Sequence, residues 1–224
     1  MKRILSLLLA LTLVLTMTVA LTACGETPET PPETTVTAEE FEAAMTYSGN
    51  YSMSMKTTAG EMGTVEMTMK LAGNKVEGFQ KSTYGEEEQS MTVIYEFLDD
   101  VTYMYMCESE EDGYVKMSTE MTLEELKEEM GESYMPEGLI DYDAYTYDET
   151  TKTYKAATVT FEMYGHEVEL KDVEIAFEDG KLMSMTYSME QGDVTSTTTL
   201  TFDYATPTVT IPTENVTDMT EGAE

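Results

Sequence analysis

The sequence predicts an α+β fold that is mainly antiparallel β, a curved sheet with about two short helices packed on its concave side. Apolar and polar residues alternate along many segments, which is typical of strands that bury one face. Two-residue turn signals separate several of these segments, so successive strands should pair as antiparallel neighbours. Two Thr-x-x-Glu motifs mark helix starts. Because two short helices cannot cover so many strands, we expect an apolar face that is incompletely filled.

The chain begins with a segment that has the layout of a secretory signal. Lys2 and Arg3 precede an apolar run, residues 4–23, that is broken only by Ser and Thr. The end of this run, Leu21-Thr-Ala-Cys24, resembles the lipobox of bacterial lipoproteins. The resemblance implies removal of residues 1–23 and transfer of a diacylglyceryl group to the Cys24 thiol. The alternative is an uncleaved transmembrane helix, since about 20 apolar residues can span a bilayer.

Residues 24–36 read as the lipidated cysteine followed by a tether. Pro28, Pro31 and Pro32 alternate with Thr and Glu, a composition that cannot bury apolar surface and stays extended. Either reading of the leader places the rest of the chain at the cell membrane, facing the extracellular or periplasmic side. A single domain should occupy residues 37–213, and residues 214–224 should form an acidic tail.

Each predicted helix begins at a capping box. The first box spans residues 37–40, and its helix should run to near Tyr47. The second spans residues 122–125, and its helix should end at Gly131. Residues 132–141 should form a loop or a short turn-helix.

Between and after the helices, each predicted strand carries its apolar residues on one face. Glu66, Thr68 and Lys70 illustrate the polar residues expected on the other face. The apolar sets are Tyr51, Met53 and Met55; Val65, Met67, Met69 and Leu71; Met91, Val93, Tyr95 and Phe97; Val159, Phe161 and Met163; Met183, Met185, Tyr187 and Met189; and Val194, Thr198, Leu200, Phe202 and Tyr204.

Turn residues set the boundaries of the later strands. Gly165-His166 and Asp179-Gly180 are two-residue hairpin signals, and Gln191-Gly-Asp193 is a further turn. The alternation changes phase between Leu170 and Val173, which indicates a β-bulge that bends the strand.

The layout as a whole is similar to the half-open barrel of the LolA/LppX-like lipoprotein superfamily. The resemblance covers residues 37–213 in pattern, and its motif-like part is the ending from Leu200 to Pro212, an aromatic strand, a short break and an extended strand that ends in proline. It implies a cavity that carries lipids or lipoproteins, and some members of the superfamily act as sensors in the cell envelope. No site residue transfers, because no family site motif is present.

Charge and cysteine content narrow the classes of function. The whole chain has a net charge of −32, and without residues 1–23 it retains 10 basic and 44 acidic side chains, a net charge of −34 with no arginine. Nucleic acid is therefore excluded as a partner, since phosphates require a basic surface. Apart from Cys24, the chain has only Cys107, which we expect to be a buried apolar residue.

Methionine is the most unusual feature, with 20 in the chain. Residues i and i+2 of a strand point the same way, so Met-x-Met pairs place two thioethers on one face. Core filling, an adaptable ligand cavity and a soft-metal site all remain open. A copper site usually adds His or Cys, so we expect no metal or other cofactor. The candidate cavity residues are Met53, Met55, Met67, Met69, Met183 and Met185.

No enzyme is expected, because the single histidine, His166, falls in a predicted turn and no Gly-x-Ser-x-Gly motif accompanies it. The leading hypothesis is a membrane-anchored extracytoplasmic lipoprotein that binds an apolar ligand, a lipid or lipopeptide. The alternative is an interaction or sensor module that engages another envelope protein.

Overall fold

The structure is a computed structural model that describes residues 35–46, 49–127, 137–163 and 166–220. The chain divides into two compact units. The first unit comprises Met1–Ser48 and Leu126–Met189, and the second comprises Gly49–Glu125 and Glu190–Glu224. Most neighbouring strands within each unit are antiparallel, and the two units are described in turn.

Both predicted capping boxes are present. Helix α1 spans Ala38–Met45; the Thr37 Oγ1 accepts a hydrogen bond from the Glu40 amide at 3.2 Å, and a Glu40 carboxylate oxygen accepts one from the Thr37 amide at 2.8 Å. Thr122 and Glu125 repeat this exchange at 3.1 and 2.7 Å.

The second box opens helix α2, whose described part covers residues 123–127; its expected end at Gly131 lies outside the described residues. Helix α3, Glu137–Ile140, and a 3₁₀ turn, Tyr142–Ala144, lie within and just after the segment expected to be a loop or short turn-helix. Two further 3₁₀ turns span Gly60–Met62 and Glu110–Asp112.

The first unit holds four strands in the order β10-β9-β8-β7, all paired antiparallel. They are β7 (Thr146–Asp148), β8 (Thr153–Met163), β9 (His166–Glu178) and β10 (Lys181–Gln191), the last two residues of which fall in the second unit.

The hairpin predicted at Asp179-Gly180 is confirmed: Glu178 pairs with Lys181, and the two turn residues have φ of 51° and 69°, the left-handed pair that a type I′ turn requires. The turn predicted at Gly165-His166 is wrong for His166, which pairs with Met163 and is the first residue of β9; Gly165 lies outside the described residues.

A bulge in β9 confirms the predicted change of phase. Between Thr186 and Ser188 of β10, the partner residue moves from Glu174 to Lys171, and Asp172 adopts a left-handed φ of 52°. Strand β8 also changes phase nearby, since Ala156 and Val159 are buried while the two residues between them are exposed. Both strands thus keep their apolar residues in the core on each side of the irregularity.

Helix α1 closes the core of the first unit through one aromatic residue. Phe41 is 0% exposed, and its ring centroid lies 5.1 Å from that of Phe177 on β9 and 5.6 Å from that of Tyr154 on β8. Tyr142 and Tyr145 complete the contact at 5.5 and 5.3 Å. The helix therefore packs on a sheet face, as an amphipathic helix must.

The second unit holds eight strands in the order β12-β6-β5-β4-β3-β2-β1-β11. Adjacent strands pair antiparallel except β12 and β6, which pair parallel. The strands are β1 (Tyr51–Thr58), β2 (Thr64–Ala72), β3 (Lys75–Tyr84), β4 (Glu87–Phe97), β5 (Thr102–Cys107), β6 (Tyr114–Thr119), β11 (Val194–Asp203) and β12 (Val216–Asp218). The predicted α+β class, mainly antiparallel strands with few helices, is confirmed.

The short strand β12 lies in the segment that was expected to be an acidic tail. The Tyr114 amide donates to the Asn215 carbonyl oxygen at 2.8 Å, and the Lys116 ammonium pairs with Asp218 at 3.1 Å. Gly113 permits the approach, since a Cβ there would lie 2.4 Å from the Asn215 oxygen. A strand of three residues, of which only one is apolar, is too short to show an alternation of apolar and polar residues in the sequence.

The Asp218 carboxylate should make the stability of β12 depend on pH. Hydrogen bonds from the Thr220 hydroxyl and amide, and then from Lys116, lower the pKa of Asp218 to about 2. An unfolded aspartate titrates near 3.9, so this stabilisation is present above about pH 4 and is lost as the pH falls towards 2. We expect Asp218→Asn to lower the urea midpoint at pH 7 and to have little effect at pH 2. Asp100→Asn, in an exposed bend, is the control; an Asp218→Asn deficit that does not shrink at low pH would contradict the assignment.

Candidate functional site

The register of the second unit brings four of the predicted cavity methionines together. Met53 on β1 lies opposite Met69 on β2, and Met55 lies opposite Met67. Directly opposed residues point to the same side of a sheet. Phe202 and Leu200 of β11 lie opposite Met53 and Met55 on the other side of β1 and extend the two rows.

The same side continues across β3 to β6. Successive opposed residues form two rows across these strands. One row starts at Met69 and continues with Gly78, Val93, Met106 and Val115. The other starts at Leu71 and continues with Val76, Tyr95, Met104 and Met117. We call this side the methionine face. It comprises Met53, Met55, Met67, Met69, Leu71, Val76, Met91, Val93, Tyr95, Met104, Met106, Val115, Met117, Leu200 and Phe202.

The lysines of this sheet lie on its opposite side. Every lysine on the strands of this sheet occupies a position that points away from the methionine face. Each of these lysines pairs with an acidic residue of the same unit. The pairs are Lys56–Glu66, Lys70–Glu77, Lys75–Glu96, Lys81–Glu88 and Lys116–Asp218. The predicted separation of apolar and polar faces along β2 is thereby confirmed, and the lysine positive charges lie on the side opposite the methionine face.

Burial divides the methionine face into two groups. Met53, Met55, Met69 and Met91 are 1–9% exposed and belong to the core. Four other methionines are half-buried: Met67 on β2, Met104 and Met106 on β5, and Met117 on β6. Core filling therefore accounts for the first group and leaves the second group with accessible thioethers.

A second apolar cluster, which the alternation along the strands does not predict, covers the other side of β4 and β5. Ile94, Tyr105 and Val209 are 3–7% exposed and pack together, with Ile211 against them. Cys107, as predicted, is buried at 6% exposure. The C-terminal segment that carries Val209 and Ile211 thus supplies core contacts to strands whose methionine side remains half-exposed.

The remaining two predicted cavity residues lie on β10 in the first unit. The register is irregular between Leu182 and Ser184, where Met183 has no opposed partner. Leu182 and Met185 are 2% and 0% exposed, whereas Met183 is half-buried. Leu182 and Met185 therefore join the core of this unit, and the i, i+2 rule does not place Met183 with them.

The first unit also contains a cleft of about 230 Å³ at the start of α1. The phenol of Tyr154 binds the chain here, accepting from the Val36 amide at 2.8 Å and donating to the Val36 carbonyl at 3.1 Å. Burial raises the pKa of Tyr154 to about 12, and the protonated phenol supplies the donor for the second bond. The lining is Thr35, Val36, Glu40, Tyr147, Lys152, Tyr154, Phe177, Asp179 and Gly180. A polar cleft below the roughly 300 Å³ typical of ligand pockets does not suit an apolar ligand.

The remaining predictions concern the leader, His166, metal binding and membrane-spanning helices. Cys24 and the rest of the leader are outside the described residues, as is the side chain of His166. In the described ranges, no three His, Cys, Asp or Glu residues are arranged to hold a metal ion. None of the helices in those ranges is long and apolar enough to cross a bilayer.

Comparison with known proteins adds no assignment to this geometry. No family model matches the chain. No curated protein matches it either.

Proposed function

We propose that this chain is a lipid-anchored extracytoplasmic protein that binds an apolar ligand, a lipid or lipopeptide, on the methionine face, and that it is not an enzyme. The observation that carries the proposal is that Met67 on β2 and three methionines on β5 and β6 are half-buried, on the same face as the buried methionines. The anchor rests on the lipobox at Leu21–Cys24. The half-open barrel remains part of the proposal as the arrangement that would enclose such a ligand.

Methionine suits this role for a physical reason. Its side chain is unbranched and has three rotatable bonds, so it adapts to ligands of irregular shape. Each 100 Å² of apolar surface that a ligand covers contributes about 2.5 kcal/mol. The lysines of the sheet lie on its opposite side, so a ligand on the methionine face would desolvate none of their ammonium groups. The polar side chain directly opposite Met67 on that face is Gln80.

An interaction or sensor role through a sheet edge has less support. Strands β7 and β12 each lie at an edge of the sheet in their unit, and each is three residues long. Such short strands offer few backbone groups to an added strand. A protein partner would therefore use the methionine face, in competition with the ligand.

Replacing Met67 by glutamine should weaken binding of a fluorescent long-chain fatty acid about tenfold, because a polar amide would have to be desolvated, at a cost of about 1–3 kcal/mol. Met67 is half-buried, so the fold should be retained. The full chain bearing Cys24→Ser provides protein without the attached lipid, and fluorescence titration gives the affinity.

Two matched variants complete this test. Met62→Gln lies in the Gly60–Met62 turn at 58% exposure and should bind like the parent. Met69→Gln, at 7% exposure, should instead destabilise the fold. The proposal fails if the parent does not bind the fatty acid, or if Met67→Gln binds it as tightly as Met62→Gln.

A further inference from the structure

We propose that Met104, Met106 and Met117 form a thioether site for a soft monovalent cation of the Cu(I) type, on the β5–β6 part of the methionine face. The sequence argues against copper because histidine and free cysteine are scarce. The strand register supplies a different ligand set, drawn from two strands. This inference does not depend on binding of an apolar ligand.

The register brings the three thioethers within reach of one ion. Met104 lies directly opposite Met117, a position in which Cβ atoms are about 4.5–5.5 Å apart. Met106 is two residues further along β5, on the same side and diagonal to Met117, at about 7–8 Å. Each side chain has three rotatable bonds, so the three sulfur atoms can turn to a common point.

The burial of these residues matches the needs of a metal site. All three are half-buried, which gives an ion access and leaves room for ligand movement. The methionines of β1 that share the face are closed to solvent, with Met53 at 1% exposure. An ion can therefore reach the three methionines of β5 and β6, whereas Met53 is closed to it.

Thioether chemistry fixes the class of ion. Neutral, polarisable sulfur favours Cu(I) over hard cations such as Mg²⁺ or Ca²⁺. A thioether needs no deprotonation to bind, so the site should hold its ion over a wide range of pH. Cys107 is not a ligand, because it alternates with Met106 along β5 and is buried on the other side of the sheet.

The surroundings favour a positive ion. Tyr95 lies directly opposite Met104, and its ring stacks on that of Phe97 with centroids 5.9 Å apart; an aromatic face attracts cations. Lys116 lies on the other side of the sheet, where its ammonium pairs with Asp218 at 3.1 Å and sits 4.0 Å from the Tyr103 ring centroid. Its charge is thus held away from the thioethers.

Ag(I), an air-stable ion with the same preference for soft ligands, gives the cleanest test. The full chain bearing Cys24→Ser and Cys107→Ser carries no thiol, and native mass spectrometry in chloride-free buffer should show one Ag(I) bound. Met104→Leu and Met117→Leu keep the volume and apolarity of the residue and should each weaken binding at least about tenfold. Met62→Leu and Met219→Leu, at positions that are 58% and 59% exposed, should not. A competition titration with a Cu(I) chelator under anaerobic conditions should give the same ranking.

Three results would overturn the site: no bound Ag(I) in the thiol-free chain, equal affinity in a variant that carries leucine at all three positions, or equal losses in the two exposed controls. The leucine variants should still bind the fluorescent fatty acid, whereas Met67→Gln should still bind Ag(I). Failure of the metal site and failure of the apolar site are therefore separate outcomes.

Discussion

Replacement of Phe41 by alanine is expected to lower the free energy of unfolding by about 3–5 kcal/mol, the usual cost of removing a fully buried phenylalanine. Phe41 is 0% exposed, and four aromatic rings surround it with centroids 5.1–5.6 Å away. These rings are held by two strands and a 3₁₀ turn, so the resulting cavity cannot collapse easily. The loss should therefore include both the transfer and the cavity contributions.

Urea unfolding followed by tyrosine fluorescence measures this loss, since the chain has 15 tyrosines and no tryptophan. Phe41→Leu should cost less, because it fills part of the cavity. Tyr84→Ala, at a position that is 54% exposed, should change the unfolding free energy by less than about 0.5 kcal/mol. A loss below about 1 kcal/mol for Phe41→Ala would mean that α1 does not close the core of the first unit.

Replacement of Cys24 by serine is expected to abolish lipid labelling of the protein and to remove the acyl chains from its membrane anchor, while the uncleaved apolar run at residues 4–23 can still hold it at the bilayer. Without the thiol no diacylglyceryl group can be attached, and membrane anchoring needs two acyl chains, each buried CH₂ contributing about 0.8 kcal/mol. Metabolic labelling with an alkyne analogue of palmitate, followed by fractionation, measures both effects. The parent should be labelled and membrane-bound.

Cys107→Ser is the matched control, because Cys107 is buried in β5 and should carry no lipid. It should leave labelling and fractionation unchanged. The lipoprotein assignment would be wrong if the parent carried no label, or if the Cys24→Ser chain kept its label.

Local signals in the sequence predicted the parts of the fold that depend on a few neighbouring residues. The capping boxes at Thr37 and Thr122 form because a hydroxyl and a carboxylate three residues apart satisfy each other's backbone amides. The Asp179-Gly180 turn forms because both residues tolerate positive φ. The bulge near Asp172 was visible as a change of phase in the alternation.

Features that depend on distant contacts were not predictable in the same way. Val209 and Ile211 read as isolated apolar residues, yet they pack on Ile94 and Tyr105 from strands far away in the sequence. Strand β12 depends on a parallel pairing with β6 that has no local signal. The irregularity between Leu182 and Ser184 removes Met183 from the face that alternation assigned to it.

The candidate site shows the same division. Alternation correctly placed Met53 beside Met55 and Met67 beside Met69, since that requires only period two. It could not place Met104 opposite Met117, because they belong to different strands and the pairing is set by register. Nor could it show that Met67 is more accessible than Met69, because burial depends on what packs over each position.

Photolabelling is the most direct test of an apolar binding site on the methionine face. A long-chain fatty acid that carries a diazirine can be bound to the full chain bearing Cys24→Ser, activated by light and located by peptide mass spectrometry. The account predicts saturable labelling, competed by unlabelled fatty acid, at residues of β2, β5 and β6 such as Met67, Met104 and Met117. Labelling that does not saturate, or that falls on the cleft around Tyr154 instead, would contradict it.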